Sequence, residues 1–96
     1  PTIVTPTGVA GLDFKDEAAT VNALVPALRA RGVQAIVVLL HQGGTQPVAQ
    51  NATTINQCNG GLAGSPLQSI VAGLDDAVDL VISGHTHQAY NCMLPN

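Results

Sequence analysis

Three histidines are the groups in this chain best suited to metal ligation or to proton transfer near neutral pH, and each lies at the end of an apolar run. His41 follows "AIVVLL", and His85 and His87 close "LVISGHTH". Neutral imidazole is the commonest protein ligand for zinc and suits iron as well. At i and i+2, two histidines would point about 200° apart on a helix, whereas on an irregular turn after Gly84 they can aim at neighbouring points of one cleft. That arrangement suits two ions better than one. Thr86, between them, reads as a spacer or a supporting group, and Tyr90 and Asn91 as solvated surface. The plainer alternative is that the three rings hydrogen-bond to surrounding loops and bind nothing.

The charges narrow the chemistry further. Lys15, Arg29 and Arg31 stand against six carboxylates, a net charge of −3. With no aromatic platform and so few cations, nucleic-acid binding is not expected. An anionic substrate would need a metal to supply positive charge. Asp79 precedes His85 by six residues, about 20 Å along a strand, and Asp75 and Asp76 lie farther still. These three read as helix-end or solvated charges, while Asp13, Asp16 and Glu17 open a helix and complement its dipole. A two-metal centre needs a bridging carboxylate, and none is near the histidines.

Cys58 and Cys92 lack the C-x-x-C spacing of a zinc ribbon or a thioredoxin-like redox pair. Both sit in polar, loop-like sequence, so a disulfide between them is expected, contributing on the order of 3 kcal/mol. Such a bridge would place the parent outside the cytoplasm; two unrelated thiols are the alternative. Asn51-Ala52-Thr53 has the form of a glycosylation sequon, a triplet that also arises often by chance.

The elements that must position these groups follow from the hydrophobic pattern. An apolar content of 46% over 96 residues is enough to build a core. The longest apolar run, Ala35 to Leu40, is far short of the roughly 20 residues of a membrane span, and no signal peptide opens the chain. Its start at Pro1 suggests a piece of something longer. The opening "PTIVTPTGVAGLDF" reads as an extended segment and a loop. Val21, Leu24, Val25 and Leu28 then fall on one face of a helix capped by Asp16 and stopped at Gly32, with Pro26 a source of irregularity. "QAIVVLLH" reads as a strand buried on both faces. Residues 42–64 form a long loop. Ser65-Pro66-Leu67-Gln68 opens a second helix with a capping box, extending to about Leu74. A second apolar strand follows from Leu80 to Ser83. Helices alternating with apolar strands give an α/β fold with a parallel or mixed sheet and flanking helices, in which ligands bind at the carboxyl ends of the strands.

"VDLVISGHTHQ" resembles the last signature of the calcineurin-like metallophosphoesterases, a strand ending in Gly-His-x-His. "AIVVLLHQGG" resembles the signature before it, a strand ending in His with Gly soon after. "PTIV" and "GVAGLDFKDEAA" are similar to the segment that joins earlier motifs to these two in the secreted or periplasmic 5′-nucleotidase branch. The resemblance implies that His41 and His85 ligate one metal and His87 another, zinc, manganese or iron, with Gly84 letting the backbone turn close beneath the ions. It implies hydrolysis of a phosphoester, such as a nucleoside monophosphate, outside the cytoplasm.

Other parts of the family pattern are missing: the Asp-x-His, the Gly-Asp that bridges the metals, the Asn-His-Asp/Glu that carries the general acid, and the C-terminal nucleotide-binding domain. The chain therefore resembles the C-terminal half of a metallophosphoesterase α/β sandwich. Such a half is expected to lack activity alone, to expose sheet edges and an apolar face, and to self-associate. A binding module with one structural or sensory zinc, or a scaffold, are the alternatives.

Overall fold

The computed structural model describes residues 4–47 and 54–96, so the Asn51-Ala52-Thr53 triplet lies outside the described residues. Residues 6–9 form a 3-10 turn preceded by an extended Thr5, and the first three residues of the expected extended opening lie outside the described residues. Helix α1 (Glu17–Ala30) starts at Asp16, which is extended and accepts a hydrogen bond from the Ala19 N–H at 2.7 Å. This satisfies one of the N–H groups that a helix start leaves unpaired. Gly32, at φ +83°, follows the last turn, and the Arg29 guanidinium donates to the Val33 and Gln34 carbonyls beyond it. Pro26 sits within the helix without ending it. The expected apolar stripe is only partly covered: Val25 is buried and Val21 and Leu28 half-buried, but Leu24 is 58% exposed.

Helix α2 (Pro66–Ala72) is set by its N-terminal chemistry. The Ser65 hydroxyl accepts from the Gln68 N–H, and Gln68 Oε1 accepts from the Gly64 N–H, one residue earlier than a capping box would have it. The helix ends at Ala72, short of Leu74. Asn22 of α1 locks this end: its side chain donates to the Gly73 carbonyl at 2.8 Å and accepts from the Asp75 N–H at 2.7 Å.

Strands β1 (Val37–Leu40) and β2 (Leu80–Ser83) pair in parallel, Val37 beside Leu80 and Leu40 beside Ser83. Asp79 starts the pairing. Its N–H donates to the Ile36 carbonyl at 2.9 Å and its carboxylate accepts from the Ile36 N–H at 2.8 Å, so it is a sheet-initiating group rather than a merely solvated charge. Among the described residues the buried apolar ones are Val25, Ile36, Leu62, Leu67 and Leu74. Leu62, only 1% exposed, lies in the segment read as a loop, whose described part contains 3-10 turns at Ile55–Gln57 and Asn59–Leu62.

The strands are not buried on both faces as their composition suggested. Val37, Leu39, Leu80 and Ile82 are 51%, 77%, 53% and 53% exposed, while their neighbours along each strand are half-buried. Side chains alternate along a strand, so the in-register pairing collects these four residues on one open apolar face. The radius of gyration, 15.2 Å, exceeds the roughly 12.5 Å expected of a closed domain this long. The accessible surface, 6694 Å², likewise exceeds an expected value of about 5100 Å². Both differences fit a sheet face that no element among the described residues covers. The chain is accordingly expected to self-associate through this face, and Leu39→Lys with Ile82→Lys to shift it towards monomer in sedimentation velocity; a monodisperse wild-type monomer would count against the open face.

Candidate metal centre

Parallel pairing puts the carboxyl ends of both strands at one edge, and a histidine follows each. His41 comes directly after β1, and His85 one residue after β2. Their rings meet: His41 Nε2 lies 3.1 Å from His85 Nδ1, with ring centroids 4.8 Å apart and planes tilted by 50°. Both residues are exposed, so solvent and solutes reach the pair. His85 and His87 both adopt left-handed backbone conformations, at φ 68° and 57°, and the Thr86 N–H donates to the Gly84 carbonyl across a tight turn. Such conformations are uncommon for residues with a Cβ and persist only where the surroundings enforce them. His87 is exposed and does not join the pair in a larger cluster: among the described residues no group of three or more His, Cys, Asp or Glu side chains is placed to hold a metal.

What enforces the turn is a set of contacts between the segments after the two strands. The Gly44 N–H donates to the Tyr90 hydroxyl at 2.9 Å, and that hydroxyl also hydrogen-bonds Ser83 Oγ at the end of β2. Thr86 Oγ1 donates to the Gly44 carbonyl at 2.7 Å, and the Gln46 N–H donates to Gln88 Oε1 at 2.7 Å. The closest backbone approach falls at Gly43, where a Cβ would collide with the Gly84 carbonyl oxygen and Thr86 Oγ1. A Cβ at Gly84 would meet only ordinary contact. The glycine that the packing requires is therefore Gly43, while Gly84 contributes its carbonyl.

Tyr90 is not simply solvated surface, while Asn91 is exposed as expected but still hydrogen-bonded. Tyr90 is half-buried and bonded as described, and Asn91 donates from its backbone to the Ile55 carbonyl at 3.0 Å and from its side chain to Asn56 Oδ1 at 2.9 Å. Next to it, Cys92 is joined to Cys58 in a disulfide, with Cα atoms 5.1 Å apart. The bridge ties the C-terminal segment to the loop that carries Leu62. Sequence reasoning gave Tyr90 no role beyond solvated surface and noted Gly43 only among the glycines that follow His41. The only available signal was that Tyr90 is the chain's single tyrosine and follows the His-Thr-His turn closely.

His41 Nε2 and His85 Nδ1 are hydrogen-bonded to each other, and their spacing bears also on metal ligation. Nitrogens bound at about 2.0–2.1 Å to one tetrahedral or octahedral ion stand roughly 2.9–3.4 Å apart, and the observed 3.1 Å falls in that interval. Two imidazoles alone are too few ligands to complete a protein metal site, so further donors are required.

These features define an α/β segment with a histidine pair at the carboxyl rim of a parallel sheet. No protein-family model matches the chain, and no solved structure matches it. It is similar to the cell wall protein Lmo0130 of Listeria monocytogenes, 34% identical over 91 residues, covering 95% of this chain and 12% of that protein. It is also similar to the endonuclease YhcR of Bacillus subtilis, 29% identical over 89 residues, covering 93% of this chain and 6% of that protein. The chain thus spans a small part of each relative's length, consistent with a segment of a larger protein. No helix among the described residues is long and apolar enough to cross a membrane. The disulfide and the similarity to a cell wall protein are consistent with an extracellular location.

Proposed function

We propose that this chain is the C-terminal half of a calcineurin-like metallophosphoesterase domain of the 5′-nucleotidase type, acting at the cell surface or in a secreted or periplasmic protein. The observation that carries the reading is the meeting of His41 and His85 at 3.1 Å on the carboxyl rim of two parallel strands. His41 and His85 would hold one divalent ion, zinc, manganese or iron, and His87, two residues beyond, would face the second from the same turn. When bound, the ions supply Lewis acidity and the charge neutralisation that a chain with three permanent cations lacks. The turn at Gly84 to His87 sets the directions of the rings, and the Thr86 and Tyr90 hydrogen bonds hold the two rims together. The bridging carboxylate and the general acid belong to the remainder of the parent. The substrate class is a phosphoester, with nucleotides favoured by the resemblance; similarity to a protein named an endonuclease agrees with phosphoester chemistry.

A second reading, a non-catalytic module with a single histidine-bound zinc, draws on the grouping of two imidazoles rather than three. Metal stoichiometry separates the two, because the full parent should hold two ions as an enzyme and one as a module. With Mn²⁺ and a chromogenic phosphodiester, the isolated chain should give no turnover above the metal blank, and a longer polypeptide carrying the upstream half should give clear turnover. Turnover by the isolated chain, or inertness of the longer one when loaded with metal, would refute the enzyme reading.

A further inference from the structure

We propose that Tyr90 is a positioning residue for the histidine pair, its hydroxyl fixing the distance between the two strand ends from which His41 and His85 project. The hydroxyl is shared between the two sides of the site. On one side it accepts from the Gly44 N–H at 2.9 Å, in the segment three residues after His41; on the other it hydrogen-bonds Ser83 Oγ, two residues before His85. Gly44 is buried and Tyr90 half-buried, so neither bond is readily exchanged for water. Gly43, packed without a Cβ against the Gly84 carbonyl, permits the two segments to come this close. The Thr86 bond to the Gly44 carbonyl and the Gln88 bond to the Gln46 N–H act on the same segment and leave the Gly44 N–H to Tyr90. The tyrosine is itself anchored, since Asn91 bonds to Ile55 and Cys92 is bridged to Cys58. Its role rests on the metal reading above, but its geometry does not.

The test uses the whole chain with its disulfide intact and the variants Tyr90→Phe and Ser83→Ala. In the metal-free protein, proton–nitrogen correlation spectra of the imidazoles should show fixed tautomers for His41 and His85 in the wild type. Tyr90→Phe should replace them with the averaged pattern of a free ring, with the His87 signals unmoved. Titration with Co²⁺, followed by its visible absorption, should show Tyr90→Phe binding about tenfold more weakly, the low end of what outer-shell partners of metal ligands carry. Ser83→Ala, which removes one of the two partners, should move both readouts the same way by less, and it decides the matter should Tyr90→Phe fail to fold. Wild-type tautomers and wild-type Co²⁺ affinity in Tyr90→Phe would overturn the proposal. A wild-type chain that takes up no Co²⁺ would instead overturn the metal reading, while the ring-nitrogen spectra would still decide Tyr90.

Discussion

Replacing His41 with Ala and His85 with Asn together is expected to remove zinc binding by the chain, lowering affinity at least about 100-fold, with the fold retained. Asparagine suits position 85 because its short side chain tolerates the left-handed backbone, φ 68°, better than alanine does. Both histidines are exposed, and substitutions at exposed positions usually change stability by no more than about 0.5 kcal/mol. Each single change should cost nearly as much affinity as the double, because one remaining imidazole is a poor site and ligands acting together are not additive. His87→Asn should leave this first site in place. Isothermal titration with Zn²⁺ measures all four, and wild-type affinity in the double variant would show that the paired rings are only hydrogen-bonded to each other.

The parts of the fold that the sequence announces are those fixed by local chemistry. Asp16 and Ser65 each lie one residue before a helix and cap it, as their types predict, and Gly32 closes α1. The strand Leu80–Ser83 is bounded as its apolar run suggested. His41 and His85 were expected at one sheet edge because parallel strands put their carboxyl ends together, and the register places them there. Contacts that cross the chain left no comparable local trace. Asp79 looked solvated because its partner, Ile36, is 43 residues away. Tyr90 looked solvated because Gly44 is 46 residues away. Gly43 stands in the sequence only as a glycine soon after His41, with no sign of the Gly84 carbonyl that packs against it. The misreading of the strands has a different origin. "AIVVLL" has the composition of a strand covered on both faces, yet Leu39 is 77% exposed, because an apolar run does not say which of its faces another element covers.

Removing the Cys58–Cys92 bridge should have the largest effect on stability. The two residues are 34 apart, and closing such a loop in the unfolded chain corresponds to about 3–4 kcal/mol. Domains of this size have only about 5–15 kcal/mol of stability in all, and among the described residues only five apolar side chains are buried while one sheet face is open. Cys58→Ser with Cys92→Ser is therefore expected to lower the midpoint of thermal unfolding by roughly 15–25 °C. The loss should reach the histidines too. Gln88, Tyr90 and Asn91 hold the segments at Gln46, Gly44 and Ile55 from a stretch whose end is tied down by Cys92. Without the tie, that stretch is free to lift away and release the Gly44 N–H. Circular dichroism melts of the oxidised wild type and the double serine variant measure the first effect, and Co²⁺ titration below the melting range of both measures the second. Equal midpoints would mean that the tertiary hydrogen bonds hold the C-terminal segment unaided. A lower midpoint with unchanged Co²⁺ affinity would mean that the bridge stabilises the fold without tensioning the rim on which the two imidazoles stand.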